Sequence, residues 1–324
     1  MDAVASLLDG PRARRAFLLR SVLSPPWAID VRDEAPLTVT AMVRGDAWIV
    51  PHDASTPVRL CQGEVAAIQG PGHYRVADAV GTETQVVILP GQRCMSPDGN
   101  TVYELSDLGI RTWGNNPDGS VVVVTGTYPT RSEVGRRLLD ALPTIAVVTP
   151  DDGVRSLLDL LAAEIGHDSP GQPAMLDRIL DLLLIATARA WFLRSDVEAP
   201  GWYSAYTDPL IGRALRMMHH DIAVPWTVAR LAHECGVARA TFARRFTALV
   251  GEAPMAYLTT ARLDLAADLL LEPESTLESV ARRVGYATAF SLSAAFTRVR
   301  GITPREHRER AASPVDVVAT PAAT

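Results

Sequence analysis

Side chains able to do chemistry are few in this chain and widely spaced. Its three cysteines, Cys61, Cys94 and Cys235, show no Cys-x-x-Cys spacing. A thiol reacts as its thiolate, and Arg93 beside Cys94 in PGQRCMSPDGN could lower that pKa, which makes Cys94 the candidate redox residue. The alternative for Cys94 is an inert buried thiol, and Cys235, just before Gly236, is most simply core. His52 and His73 are the only histidines before His167 and no His-x-His pair occurs, so a three-histidine metal site cannot be built there. No metal, cofactor or catalytic residue is expected. The cations are 31 arginines with no lysine, so every fixed positive charge is a guanidinium, a planar fork of donors.

The elements that must hold these groups change character near residue 150. Before it, Leu37 to Val43, Ala47 to Val50, Val65 to Ile68, Thr84 to Leu89 and Val121 to Thr125 are short apolar or β-branched runs. Gly, Pro, Asn and Asp clusters separate them, as between the strands of a sandwich or barrel. After it, Val154 to Ile165 and Pro173 to Arg194 carry apolar residues at helical spacing. Two such helices between domains either form a dimer contact or pack on the β domain. Beyond the loop EAPGWYSAYT the period is helical to Arg310, and Asp208-Pro209 predicts a capped helix over Asp208 to His219 with Pro at its first position. Expected boundaries are 1–150 for the β domain, 151–206 for the helical linker, 207–310 for the helical domain and 311–324 for a disordered tail.

Composition sets limits on function. A chain of 324 residues accommodates two cores, and 48% hydrophobic with 21% charged residues fits a globular protein. The most apolar helix candidate, Met175 to Leu193, is interrupted by Asp177, Arg178, Asp181 and Arg189, which argues against a membrane span. MDAVASLLDGPRARRAF lacks the apolar core of a secretory signal, and the sparse cysteines fit a reducing compartment, so a cytoplasmic location is expected. Thr207 to Arg310 holds 14 Arg against 11 Asp and Glu, whereas the remainder holds 17 against 26.

One pattern occurs twice. GVARATFARRF begins at Gly236 and GYATAFSLSAAF at Gly285, each preceded by a Leu-Ala or Val-Ala pair and followed by Gly-x-x-Pro. In the first copy Leu231 and Ala232 face inward, Gly236 permits a left-handed turn, and Phe242 and Phe246, four apart, share the buried face of a second helix. The second copy repeats this with Val280, Ala281, Gly285, Leu292 and Phe296. This is the helix-turn-helix arrangement, whose second helix can lie in a DNA major groove.

Two such motifs joined by one long helix, Met255 to Leu271, resemble the homeodomain-like DNA-binding domain of the AraC/XylS family of transcription regulators, which has seven helices. The resemblance rests on Trp226-Thr227, Arg244-Arg245-Phe246, Gly251-Glu252-Ala253-Pro254, Arg262-Leu263, Gly285-Tyr286, Ala295-Phe296 and Gly301-Ile302-Thr303-Pro304. It implies that Arg239, Ala240, Ala243 and Arg244 face bases in the first copy, with Thr241 able to cap that helix in place of Ala238. Arg244 is the candidate for bidentate contact with guanine, and Arg245 serves phosphate or the fold. In the second copy the candidates are Thr288, Ala289, Phe290 and Ser293. Ala294 stands where the family usually has Arg, so this half is expected to contribute thymine-methyl, backbone and shape contacts.

Upstream, MVRGDAWIVPHDASTPVRLCQGEVAAIQGPGHYRVAD resembles the cupin-like barrel that precedes this domain in many family members. That implies a site for a small-molecule effector or a homodimer contact, with Arg44, Trp48, His73, Tyr74 and Trp113 as candidate pocket residues. The expected class is therefore α+β: a cupin-like β-barrel, interdomain helices and an all-α double helix-turn-helix domain. The expected function is sequence-specific regulation of transcription at the nucleoid, with double-stranded promoter DNA and RNA polymerase as partners and no membrane. The alternative is a cupin-type metalloenzyme, an isomerase or oxygenase, fused to a DNA-binding domain.

Overall fold

The computed structural model describes residues 16–103, 107–128, 139–149, 151–194, 196–197, 199–272 and 274–312. The expected tail therefore lies outside the described residues, apart from its first two positions. The chain divides into two compact units, one holding the strands with the first two helices and the other holding residues from about 198 onward.

In the first unit, alternation of apolar residues produces strands with one inward face. The strands are β1 (Phe17–Leu23), β2 (Ala28–Val31), β3 (Leu37–Arg44), β4 (Ala47–Pro51), β5 (Val58–Leu60), β6 (Val65–Gln69), β7 (Tyr74–Ala77), β8 (Val86–Leu89), β9 (Arg93–Met95), β10 (Val102–Tyr103), β11 (Thr112–Gly114), β12 (Val121–Tyr128) and β13 (Ile145–Val148). They form a six-stranded sheet in the order β11-β1-β12-β3-β6-β13 and a seven-stranded sheet in the order β10-β9-β8-β2-β7-β4-β5. Leu19, Leu23, Met42, Ile68 and Val123 of the first sheet meet Ile29, Val31, Ile49, Leu60 and Val76 of the second in one buried cluster that also holds Trp27 and Trp113.

Helices α1 (Asp152–Glu164) and α2 (Gln172–Phe192) belong to this unit. The Asp151 carboxylate caps α1 by accepting from the Val154 amide at 2.9 Å. Val154, Leu158, Leu161 and Ile165 are buried, and on α2 so are Leu176, Leu180, Leu183 and Leu184. The pair packs on itself and on β3, β6 and β13. Gly126 of β12 makes the close approach possible, since a Cβ there would stand 2.5 Å from the Leu180 Cδ1. The helices pack on the β domain, as one of the two readings has it, while Leu160, Met175 and Leu182 remain exposed.

The second unit is helical. It contains α3 (Gly201–Ser204), a 3-10 turn (Ala205–Thr207), α4 (Ile211–His220), α5 (Val228–Glu234), α6 (Arg239–Val250), α7 (Pro254–Leu270), α8 (Leu277–Arg283), α9 (Ala289–Arg300) and α10 (Pro304–Ala312). Two expectations change here. The stretch read as a loop, EAPGWYSAYT, holds helical turns, and α4 begins at Ile211 instead of just after Asp208. Preceding Pro209, Asp208 is extended, with φ −70° and ψ 125°, yet its Oδ1 still accepts from the Leu210 and Ile211 amides at 3.0 and 2.9 Å. Seven helices, α4 to α10, span the region where the family resemblance implies seven. They surround two clusters, one around Leu215, Leu231, Phe242, Phe246 and Tyr257 and the other around Leu263, Leu270, Val280, Leu292 and Phe296.

Candidate nucleic-acid interface

Each of those clusters supports one helix pair. In the first, Thr227 opens α5 by accepting from the Arg230 amide at 3.1 Å, and Leu231 and Ala232 are buried beneath it. Gly236 turns the chain at φ 72°. Then α6 lays Phe242 and Phe246 into the core with ring centroids 5.8 Å apart. Ala238 holds the N-cap position and its methyl group provides no cap, as its side chain dictates. The outward face of α6 exposes Arg239, Ala240, Thr241, Arg244 and Arg245, with Ala243 half-buried.

The second pair is similar but more tightly tied. Thr276 and Ser279 bond each other's amides at the start of α8, both at 3.1 Å. Thr288 and Ser291 do the same for α9 at 3.2 and 3.1 Å. A Glu278 carboxylate oxygen also accepts from the Ala289 amide at 3.3 Å. Gly285 sits at φ 79°, and a Cβ there would come within 2.6 Å of the Ala223 carbonyl oxygen. Arg262 of α7 holds that loop by donating to the Ile222 and Val224 carbonyls at 2.9 and 2.7 Å. Thr288 and Phe290 are exposed, Ala289 and Ser293 are half-buried, and Phe290 is 83% exposed.

The two arginines singled out in the first copy separate here. Arg245 donates to the Asp208 carboxylate from Nε at 3.2 Å and Nη2 at 2.5 Å, so it ties α6 to the start of α4. Burial pushes the Asp208 carboxyl up, but hydrogen bonds from the Ile211 amide, Arg245 and the Leu210 amide together hold it below the usual carboxylate range. Arg244 is exposed and points to no acceptor among the described residues. Nearby, the Arg230 guanidinium lies 4.6 Å from the Trp226 ring centroid. Sequence reasoning named neither Asp208 as the partner of Arg245 nor the Thr-x-x-Ser capping boxes, although the latter were visible as Thr276-Leu-Glu-Ser279 and Thr288-Ala-Phe-Ser291.

The sheet unit keeps a cavity of about 50 Å³ between its sheets. Apolar side chains such as Leu19, Trp27, Ile29 and Val123 line it together with the polar Ser21, Asp33, Thr40, Tyr74, Gln92, Thr125 and Thr127. Of the five expected pocket residues only Tyr74 lines it. Arg44 is drawn to the surface, donating to the Gly119 carbonyl, and Trp48 alternates with the inward-facing Ala47 and Ile49 of β4. Trp113 fills the core against Tyr103, while His73 is exposed edge-on to His52 at 6.1 Å. Cys94 also moves away from its expected chemistry. Its side chain is buried in the core, and burial pushes the thiol up to about 12, opposite to the effect expected of Arg93, so little thiolate exists near neutrality.

Comparison with known proteins agrees with both units. Residues 2–193 match the cupin family model and residues 231–310 match a helix-turn-helix domain model. An AraC-like transcription regulator of Streptomyces lividans is 30% identical over 320 residues, covering 97% of this chain and 100% of the relative. The transcriptional regulator AlkR of Acinetobacter baylyi is 26% identical over 316 residues, covering 96% and 100%. The DNA-binding domain of AdpA, solved in complex with a target DNA, is 31% identical over 34% of this chain and 100% of that chain, with a TM-score of 0.31. With a cupin domain ahead of a duplicated helix-turn-helix domain, and a relative aligned along nearly its whole length, this chain belongs to the family of AraC-like DNA-binding transcription regulators.

Proposed function

We propose that the chain reads one asymmetric promoter sequence with α6 and α9 in major grooves, and that a small-molecule effector in the sheet unit alters that binding. The observation that carries this reading is the repetition itself. Two helix pairs bury equivalent faces and leave equivalent faces of their second helices uncovered. In the first copy Arg244, exposed and without an acceptor among the described residues, is the guanine-reading residue, with Arg239, Ala240, Thr241 and Ala243 beside it. In the second, Thr288, Ala289, Phe290 and Ser293 form the contact surface. Arg245, committed to Asp208, is assigned to holding α6 in place.

For the effector, the cavity between the sheets, which Tyr74 of the five expected residues lines, is the assigned site, and at about 50 Å³ it must widen to admit more than a water or two. Trp27 lines it, and the Trp27 indole Nε1 is buried without a hydrogen-bond partner among the described residues. Such an orphaned donor costs about 1–3 kcal/mol, which a ligand acceptor would offset. The exposed side chains of α1 and α2 are assigned to a homodimer contact, and RNA polymerase to the promoter-bound state. No helix among the described residues is long and apolar enough to cross a membrane, and a regulator of promoters is assigned to the cytoplasm, acting at the nucleoid. Regulation, not catalysis, is the role in this reading.

Mapping of bound genomic DNA with purified protein, repeated with Arg244→Ala, tests the proposal. The expected result is a short asymmetric motif in which one guanine position loses about 1–3 kcal/mol of discrimination in the variant. Equal binding of the unaltered protein to promoter and random DNA would sink the sequence-specific reading, and unchanged specificity in the variant would remove Arg244 from it.

A further inference from the structure

α9 begins 50 residues after α6 and both have 12 residues. Position for position, Phe290 therefore stands where α6 has Ala240, and Ala294 stands where α6 has Arg244. The two outward faces carry the same pair of positions, four apart and so adjacent on the helix surface, with large and small exchanged. In α6 a small residue precedes a guanidinium. In α9 an aromatic ring precedes a methyl group.

Phe290 is 83% exposed, whereas Leu292, Ala295 and Phe296 of the same helix are buried. Its ring thus adds nothing to the core and leaves a large apolar surface in water. Arg282 on α8 and Arg298 further along α9 are also exposed and carry positive charge suited to phosphates. In the first turn of α9 the Ala289 and Ser291 amides already donate to Glu278 and Thr288, which leaves this helix start less suited to seizing a phosphate. What α9 offers a base pair is a ring edge, the Ala294 methyl group and the Ser293 hydroxyl. The only apolar group that a base pair presents in the major groove is the thymine 5-methyl.

We infer that Phe290, with the small Ala294 one turn further on, is a specificity-determining residue that selects thymine through its 5-methyl group, so that one protein reads guanine by hydrogen bonds in one half-site and thymine by apolar contact in the other. This rests on the promoter-reading function proposed above. It also fixes the chemistry of the second half-site: a thymine there is recognised without any cation.

Replacing each thymine of the bound site in turn by deoxyuridine removes only that methyl group. With the full chain, one such replacement in the α9 half-site weakens binding about four-fold, the size expected for one methyl group leaving an apolar contact. Phe290→Ala binds the thymine and deoxyuridine duplexes equally, and its melting temperature stays unchanged because the ring packs on nothing in the core. The inference is overturned if every deoxyuridine duplex binds as well as the thymine one, or if Phe290→Ala keeps the four-fold difference. It is equally overturned if the variant changes the oligomeric state instead of base preference. Guanine readout by Arg244, measured on the same duplexes, would survive all of those outcomes and would disappear only if the promoter-reading function itself were wrong.

Discussion

Arg244 and Arg245 are neighbours in the chain and face different demands. Arg244 has no acceptor among the described residues, so its five donors stay available to a ligand. Arg245 is held by Asp208, which lies 37 residues earlier, so no helical or strand spacing in the sequence could have joined them. Asp208 does two jobs, accepting from the Leu210 and Ile211 amides through one oxygen and from Arg245 through the other. Because its carboxyl is held below the usual range, its stabilising contribution is complete above its unfolded value of about 3.9 and is lost as pH falls through the lower folded value. Asp208→Asn keeps an acceptor for the amides but removes the charge. It should therefore lower stability by about 1 kcal/mol near pH 7, a value discounted because Arg245 is half exposed. Urea denaturation at a series of pH values should show the gap between variant and parent shrinking below about pH 4. A gap that persists unchanged in acid would mean the bond to Arg245 is not the source of the effect. Cys94 shows the same limit of residue-level reading from the other side. Its neighbour Arg93 is visible in the sequence, but the core that raises its pKa is assembled from strands far along the chain.

Between elements, the long helix α7 joins the two helix pairs by specific ties. Asp264 on α7 meets Arg300, the last residue of α9, at 2.6 Å, with side chains 5% and 11% exposed, and the Arg300 guanidinium also lies 5.3 Å from the Phe296 ring centroid. Removing one member of a buried pair leaves an uncompensated charge, whereas removing both leaves none. Arg300→Leu should therefore cost about 3–5 kcal/mol, and Asp264→Leu with Arg300→Leu should recover most of that. Chemical denaturation of the three proteins decides it, since a double variant as unstable as the single one would show that the pair acts through packing alone. Most of the elements were legible beforehand because their signals are local: alternation in Leu37 to Val43, and the glycine turns at 236 and 285 inside each helix pair. The register between copies was less so. The turn glycines are 49 residues apart, but the second turn holds one more residue, which puts the recognition helices 50 apart and pairs Arg244 with Ala294. The start of α4 was misplaced because the extended backbone before Pro209 outweighs the capping pattern. The lining of the cavity depends on which faces of two sheets meet, and no local pattern specifies that.

At the level of the whole molecule, the distribution of charge matters more than its sum. Thr207 to Arg310 carries 14 Arg against 11 acidic residues, while the rest of the chain carries 17 against 26. The helical unit has two buried clusters of its own, so a fragment of residues 199–312 has the interior needed to fold alone. In the full chain the acidic excess opposes approach to a polyanion, and counterions screen that repulsion over about 10 Å at 0.1 M salt and about 30 Å at 0.01 M. The fragment should therefore bind random-sequence duplex DNA more tightly than the full chain at low salt, with the difference narrowing as salt rises. Both should weaken with salt, since arginines displace counterions from phosphate in each. Preference for the promoter motif over random DNA should be the same in both, because the proposed base readout uses α6 and α9 alone. Fluorescence titrations of the two proteins at about 50 and 200 mM salt, a range over which phosphate contacts lose most of their strength, measure all three expectations together. Equal affinity at low salt would show that the acidic unit exerts no field on the interface. Loss of promoter preference in the fragment would show instead that the sheet unit takes part in reading the sequence, and regulation by an effector would then have to act through specificity as well as occupancy.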